Sequence, residues 1–465
     1  MIAVLTPREM AAVDAAASLP VEALIERAGG AVATAALEML GGGYGHRVVV
    51  LAGKGNNGAD GRAATSRLRR RGVRVAVLDA AAPTIQVPGA DLVIDAAYGT
   101  GFRGEYLAPD VGDTPVLAVD IPSGVDGLTG EVCGRALAAT RTVTFAALKP
   151  GLLFEPGRGL AGEVLVADIG VGVSADVGVV EATDVARWLP DRERGSHKWR
   201  AATLIVAGSA GMTGAAHLAA GAAQRAGAGM VRVGSPGLTD DATRPVEAVG
   251  LELAPTDWAG QVLAGLDRFH ALVIGPGLGT SDDTQSAIRE VVARAGRPIV
   301  VDSDALTALG TDAPALLAER TAGAVLTPHD GEYERLTGEA PGADRIAAAR
   351  DLASATRAVV LLKGPATVVA DPSGLVHIVT SGDARLATAG TGDVLSGIIG
   401  ALLARGLVPF HAAAAAAWLH GQAASLGRYA GFVASDLLEL LPIAQANLPW
   451  PPLGRSWTSA RRDAS

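Results

Sequence analysis

Asp393 closes the turn Ala389-Gly390-Thr391-Gly392 and stands immediately before an apolar stretch, Val394 to Ala404. Glycines let backbone N–H groups close around an anion, and the helix predicted by the apolar stretch adds the positive end of its dipole. An acidic residue at the mouth of such a turn stands where a base must be to take a proton from a hydroxyl. These residues suit phosphoryl transfer, although the same letters also suit a tight turn with a capping aspartate. Four further loops in the same half end strand-like runs: "AGSAGMTGAA", "GPGLG", "TPHDGE" and "LLKGPAT". Lys363 is followed by Gly364, which lets a nucleotide approach the backbone, and Thr367 offers a hydroxyl. His329 stands beside Asp330 and Glu332, which turns an imidazole that could be purely structural into a candidate functional group.

The first half has its own polar loops. "GKGNNG", Gly53 to Gly58, matches the dinucleotide fingerprint by letter and follows a strand-like run, and Asp79 ends the next strand. A dehydrogenase is one reading of that pattern. Against it, Asn56 and Asn57 occupy a loop that usually keeps side chains small, and two helices precede the first long strand. Three more loops converge on the same strand edge: "DAAYGTGFRG" with Asp95, "DIPSGVDG" with Asp120 and Ser123, and "ALKPG" with Lys149. An amide, two carboxylates and a hydroxyl there compose an oxygen-rich cation site, and no His/Cys spacing suggests zinc. The alternative is that Asp95 and Asp120 cap neighbouring helices or turns. Only four of the 39 basic residues are lysines, Lys54, Lys149, Lys198 and Lys363. Lysine in such a sequence marks places where a compact charge is wanted and a planar fork does not fit.

The elements that must position these residues alternate. "TPREM" carries a capping box with Thr6 at the cap and Glu9 three residues on, and a second helix follows in "PVEALIERAGGAVATAALEML". β-branched runs then alternate with helices ("RVVVLAG", "VRVAVLD", "DLVIDAAYG", "PVLAVDIPSG", "RTVTFAAL", "EVLVADIG"), which predicts a doubly wound parallel sheet covered on both faces. A second α/β series runs from "ATLIVAGS" to "TVVADPSG" and closes with two helices. We therefore expect two tandem α/β domains, residues 1–172 and 197–450, joined by a linker, 173–196, and followed by a disordered tail, 451–465. At 465 residues and 49% apolar, the chain has ample material for two cores. A net charge of −9 argues against nucleic acid and anionic membrane partners. The apolar runs are too short to span a bilayer. One cysteine, Cys133, excludes an intrachain disulfide and suits a cytoplasmic location.

"GKGNNGADG", "GTGFRG", "DIPSG" and "LKPG", in this order over residues 1–172, resemble the YjeF N-terminal family, the NAD(P)H-hydrate epimerases. The resemblance implies a Rossmann-like domain whose substrate contacts are Asn56, Asn57, Gly58, Ala59, Asp60, Gly99, Thr100, Gly101, Phe102, Arg103, Gly104, Glu105 and Asp120. It also implies a potassium ion held by Asn57, Asp95 and Ser123. Asp120 is the candidate that moves protons, with Lys149 as its electrostatic support at the substrate. Over residues 185–450, "SHKW", "TPHDGE", "KGPAT" and "GTGDVLSG" resemble the ribokinase-like superfamily, and within it the NAD(P)H-hydrate dehydratases. That match implies contacts from Ala215, Gly277, His329 and Asp393 to the hydrated cofactor. Lys363, Gly364, Pro365, Ala366, Thr367 and Gly392 would hold the adenine nucleotide. The family has glycine where this chain has Ala59 and Ala389.

The implied chemistry is a repair. Hydroxide leaves the hydrate slowly, whereas phosphate leaves well, so phosphorylating the ring hydroxyl allows the ring nitrogen to expel it. Asp393 is the expected base, and the Gly390–Gly392 amides hold the charge on the phosphoryl group. Hydrated NADH or NADPH and ADP or ATP with Mg2+ are the expected ligands, family precedent favouring ADP, in a homo-oligomer such as a tetramer. The competing reading is a ribokinase-like vitamin kinase with an N-terminal regulatory or ligand-binding domain.

Overall fold

The computed structural model describes residues 1–82, 87–191, 195–238 and 244–450; the tail 451–465 lies outside them. The chain opens with β1 (Ile2–Val4) and α1 (Pro7–Ala16). The Glu9 N–H donates to Thr6 Oγ1 at 3.2 Å and the Thr6 N–H donates to the Glu9 carboxylate at 2.8 Å, so the capping box forms. α2 (Val21–Leu40), β2 (Arg47–Ala52) and α3 (Asn56–Arg70) come next. Then follow β3 (Arg74–Asp79), β4 (Leu92–Ala96), β5 (Tyr106–Leu107), β6 (Val116–Val119), β7 (Gly134–Arg135) and β8 (Arg141–Phe145). The short helix α4 (Gly157–Ala161) and β9 (Glu163–Ala167) complete this half.

Six of these strands form an all-parallel sheet in the order β3-β2-β4-β6-β8-β9, while β5 and β7 pair by themselves. The chain leaves β2 in one direction for β3 and then crosses back to β4, which makes the β2/β4 boundary a switch point. Ligands bind outside the carboxyl ends of the strands at such a point. Alternation decides the two faces: Val48 and Val50 join the layer of α2 and α3, whereas Val49 and Leu51 face Tyr98, Phe102 and Tyr106. That second face is covered by loops, because the connection after β4 carries aromatic side chains and neither it nor the connection after β6 forms a long helix.

The other half holds β10 (Val177–Val179), α5 (Ala182–Trp188), β11 (Ala202–Val206), α6 (Thr213–Arg225), β12 (Met230–Gly234) and β13 (Val249–Leu251). α7 (Ala259–Gly265), β14 (Ala271–Ile274), α8 (Asp282–Arg294), β15 (Ile299–Val301), α9 (Asp304–Leu309) and α10 (Ala313–Leu317) follow. After them come β16 (Ala324–Leu326), α11 (Asp330–Thr337), α12 (Arg345–Thr356), β17 (Val359–Leu362), β18 (Thr367–Ala370) and β19 (Val376–Val379). α13 (Thr391–Ala404), α14 (Pro409–Leu426) and α15 (Asp436–Ala446) end the half. Their sheet has eleven strands in the order β1-β10-β19-β18-β17-β16-β15-β14-β11-β12-β13. The run from β17 to β13 is parallel, so the loops after β11, β14, β15, β16 and β17 share one edge.

This topology corrects the expectation of a plain linker over 173–196. Val177 to Val179 pair in parallel with β19, and α5 carries its own capping box between Glu181 and Asp184. β1, from the opposite end of the chain, then pairs antiparallel with β10. Triplets such as "IAV" and "VGV" are too short for periodicity to reveal, and their pairing is decided by which sheet edge is open. The halves therefore interlock, and Val4 also bridges to Leu148 of the first half.

Candidate functional site

At the end of β6 the backbone turns sharply: Asp120 has φ of 69°, a left-handed conformation that aspartate tolerates better than most residues. Its Oδ2 accepts from the Thr100 N–H at 3.0 Å, and its Oδ1 lies 2.6 Å from Lys149 Nζ and accepts from Thr144 Oγ1 at 3.2 Å. Lys149 is 1% exposed and also donates to Thr144 Oγ1 and the Phe145 carbonyl. Burial pushes the Asp120 carboxyl up, but Lys149 and the two hydrogen-bond donors outweigh it and hold the group below the ordinary carboxylate range. A buried ammonium bound in this way is a fixed charge, and the ion pair keeps Asp120 ionised.

Asp120, Lys149, Asn56, Asn57, Asp60 and Gly99 to Phe102 line one cavity of about 450 Å³ at the switch point. Gly99 has no room to spare: a Cβ there would lie 3.1 Å from Asp120 Oδ2 and 3.3 Å from Asn57 Oδ1. Asn57 Nδ2 and Thr100 Oγ1 are buried without a hydrogen-bond partner, and polar groups in that state call for a ligand. Asp60, on the first turns of α3, is pushed up to about 8 by burial and by the neighbouring Asp120 and Asp14 carboxyls. Two carboxyls in one cavity with separated pKa values mark an acid and its ionised partner. Arg103, Gly104 and Glu105 are exposed and do not line the cavity, and Gly58 and Ala59 sit behind its wall at the start of α3.

Asp95 and Ser123 meet beneath the cavity. Both are fully buried, with Ser123 Oγ 2.6 Å from Asp95 Oδ1 and 3.1 Å from the Tyr98 carbonyl oxygen. The Ser123 N–H donates to Asp95 Oδ2 at 2.9 Å. Neither Asp95 nor Asp120 caps a helix. Asp79, whose position had kept a dinucleotide reading open, is exposed and accepts from the Ala81 N–H in its own turn.

In the second half the polar loops gather on the shared edge. Lys363 Nζ lies 3.1 Å from Asp302 Oδ1 and 3.3 Å from Glu332 Oε2. Burial works against its charge, but those two carboxylates raise its pKa above the ordinary lysine value. Asp302, 2% exposed, also accepts from Thr327 Oγ1 and from Ser396 Oγ, each at 2.7 Å. One buried carboxylate thus ties the ends of β15, β16 and β17 to the helix that carries Asp393. Gly390, with φ of 92°, admits the left-handed step that starts α13, and a Cβ on Gly392 would lie 3.8 Å from Lys363 Nζ. Burial and Asp302 push the Asp393 carboxyl up, Lys363 opposes them, Asp304 adds to the rise, and the group reaches about 7. That value suits a base working at neutral pH.

Ala215 and Gly277 come together, since a Cβ on Gly277 would lie 2.9 Å from that of Ala215. His329 does the structural job. Its Nδ1 accepts from the Gly331 and Glu332 N–H groups at 3.0 and 3.2 Å, capping α11, while its ring stays 55% exposed on the edge. The Lys363–Thr367 loop is anchored by Arg345, which donates to the Lys363 carbonyl at 2.7 Å and pairs with Asp330. A larger cavity, of about 670 Å³, lies between α6, β12 and α15, and none of these residues lines it.

Asp302, Glu332 and Asp304 were missed as site residues, as was Asp14 of α1. "VVDSDAL" carries the same signal that exposed Asp95 and Asp120, an aspartate directly after an apolar strand, and could have been read the same way. Asp14 gives no local sign, because only the fold brings α1 over the cavity.

Fold and edge together define a ribokinase-like domain joined to a Rossmann-like domain with a cavity lined by carboxylates and a lysine. Residues 203–443 match the NAD(P)H-hydrate dehydratase family, and residues 21–85 and 78–151 match the family described as YjeF-related protein N-terminus. The bifunctional NAD(P)H-hydrate repair enzyme Nnr of Mycobacterium tuberculosis is 42% identical, over 86% of this chain and 88% of its own length. The enzyme of the same name from Moorella thermoacetica is 37% identical over the same shares. A crystal structure of the ADP/ATP-dependent NAD(P)H-hydrate dehydratase from Bacillus subtilis, co-crystallised with ATP and Mg2+, covers 59% of this chain and 100% of its own. It is similar at a TM-score of 0.53 and 31% identity. The chain belongs to the bifunctional NAD(P)H-hydrate repair enzymes, with an epimerase half and an ADP/ATP-dependent dehydratase half. Among the described residues no helix is long and apolar enough to cross a membrane.

Proposed function

We propose that the N-terminal cavity interconverts the R and S forms of hydrated NADH and NADPH, and that the C-terminal edge dehydrates the S form with ADP or ATP. In the cavity, protonated Asp60 gives its proton to the hydroxyl on the carbon bonded to the ring nitrogen. The nitrogen lone pair expels water, the cationic ring stands opposite ionised Asp120, and water returns to either face as its proton passes back to Asp60. Lys149 keeps Asp120 ionised throughout. Potassium fits the oxygen set of Asp95 Oδ1, Ser123 Oγ and the Tyr98 carbonyl. Asn57 joins it because its amide nitrogen is orphaned in burial, and a half-turn of the amide presents its oxygen instead. A cation held there would supply charge to the Tyr98–Gly101 loop.

On the second edge, Asp393 takes the proton of the ring hydroxyl as that oxygen attacks the terminal phosphorus of the nucleotide. The Gly390–Gly392 amides, the α13 dipole and Lys363 hold the charge of the transferring group. Loss of phosphate, driven by the ring nitrogen, and of the neighbouring ring proton restores the nicotinamide and leaves AMP or ADP. Mg2+ would supply charge to the nucleotide phosphates, and the Asp302 and Glu332 carboxylates beside Lys363 are hard oxygen donors that would hold it. Ala215, Gly277 and His329 take the hydrated ring, and Lys363 to Thr367 take the adenine nucleotide. The observation that carries this reading is Asp393, a carboxyl poised near neutrality at the head of a glycine turn beside a buried lysine.

The test separates the two steps by chromatography. Pure R hydrate incubated without nucleotide should become an R/S mixture and yield no NADH. Adding Mg2+ and ADP or ATP should then consume both forms and release AMP or ADP with phosphate. A stable phosphorylated product would favour a simple kinase. We expect a homo-oligomer, which sedimentation velocity reads directly.

A further inference from the structure

The Lys363–Thr367 loop is held from both sides, and one of its two clamps comes from the other half of the chain. Arg345, on α12 of the dehydratase half, holds the carbonyl of Lys363. At the far end of the loop, Arg158 of α4 donates from Nη1 to the Pro365 carbonyl at 3.1 Å and from Nη2 to the Thr380 carbonyl at 3.2 Å. Thr367 and Val379 are cross-strand partners at the open end of the β18–β19 hairpin. The Arg158 fork therefore bridges the two strands just where they part, which a single-point donor could not do.

The support behind Arg158 is stiff. The Gly157 N–H donates to the Gly130 carbonyl at 2.9 Å, and a Cβ on Gly157 would lie 2.3 Å from the Gly151 oxygen, so α4 sits hard against the loops behind it. Those loops are the ones that follow β6 and β8 and carry Asp120 and Lys149. The packing is continuous as well: Ile121, Val125, Leu152 and Phe154 belong to the same buried apolar cluster as Ala366 and Val368. Interiors packed in this way shift as units, because they cannot deform smoothly.

We propose that Arg158, a residue of the epimerase half, is a positioning residue for the nucleotide loop of the dehydratase half. It rests on the reading of Lys363–Thr367 as the nucleotide loop. The fork fixes the Pro365 carbonyl and with it the backbone of Gly364 to Ala366 against which the nucleotide lies. The dehydratase then depends for nucleotide affinity on a contact that a freestanding copy of its own half would lack.

The test uses the full chain. Arg158→Ala should raise the KM for MgADP or MgATP about tenfold, the size expected for losing one charge-assisted hydrogen bond. It should leave kcat for dehydration and the rate of R/S interconversion within twofold of the parent. Arg158→Lys keeps one donor and should recover part of the loss, whereas Arg158→Met, which keeps only the stem, should not. Calorimetric titration with MgADP alone supplies a readout independent of turnover, with the same tenfold weakening expected. An unchanged nucleotide KM and Kd in Arg158→Ala overturns the proposal, as does an equal fall in kcat of both activities, which would mark a structural role. If the parent binds MgADP with Arg158-dependent affinity and yet regenerates no NADH, the reading of the reaction fails and the role of Arg158 stands. If the parent binds no nucleotide, both fall.

Discussion

The two halves solve the same electrostatic problem twice. Each buries a lysine against an aspartate at the end of a parallel strand, Lys149 on Asp120 at 2.6 Å and Lys363 on Asp302 at 3.1 Å. Each places a second carboxyl nearby whose pKa is driven up, Asp60 to about 8 and Asp393 to about 7. The surroundings differ. In the first pair the lysine is the hidden member, Lys149 being 1% and Asp120 12% exposed, and the carboxylate faces a cavity roofed by α1 and α2. In the second the carboxylate is hidden, Asp302 being 2% and Lys363 22% exposed, and the ammonium faces the glycine turn and a helix N-terminus. A presented carboxylate suits a cationic ring, and a presented ammonium suits phosphates.

If the halves work separately, each can be broken alone. Asp393→Ala should lower nucleotide-dependent dehydration by about 10³-fold, the scale of losing a general base, and leave R/S interconversion unchanged. Loss of both activities would mean the comparison is wrong. Asp120→Asn keeps a side chain that accepts the left-handed backbone and should reduce interconversion by about 10²-fold or more, while dehydration of pure S hydrate proceeds at the parental rate. Activity should separate the two lysines. Lys149→Met strands Asp120 and should cost about 3–5 kcal/mol in denaturant unfolding. Lys363→Met strands Asp302 and Glu332, 2% and 7% exposed, so it should cost a similar amount, and it alone should raise the nucleotide KM.

The gentlest contrast is in pH. Dehydration needs Asp393 ionised, so its rate should climb as pH rises through about 7. Interconversion needs Asp60 protonated, so its rate should fall as pH rises through about 8. Asp302→Asn removes a negative neighbour of Asp393 and should move the first rise to lower pH while leaving the second fall in place. Profiles that move together in this variant would show that the sites are not electrostatically separate.

Much of this was written locally in the chain. The capping box at Thr6, the β-branched runs and the glycine turn before Asp393 are signals that neighbouring residues complete by themselves. The scarcity of lysine picked out Lys149 and Lys363, the two whose charge is buried, although Lys54 is exposed and Lys198 lies at the other cavity. What was illegible depends on contacts between distant residues. β1 and β10 are triplets whose pairing only an open sheet edge can specify, and the segment expected to be a linker is therefore part of a sheet. Asp302 hid behind an ordinary strand end, and its three side-chain partners, Lys363, Thr327 and Ser396, come from three separate elements. Arg158 looked like any loop arginine until the halves were interlocked.

The central claim is that one chain returns both hydrate epimers to the reduced cofactor through a phosphorylated intermediate. The most direct measurement incubates the full chain with an R/S mixture of hydrated NADH, Mg2+ and either ADP or ATP, and follows the NADH absorbance band. The account predicts full recovery of the band with at least one nucleotide, one AMP or ADP and one phosphate released per NADH, and none with Asp393→Ala. No recovery with either nucleotide would contradict it.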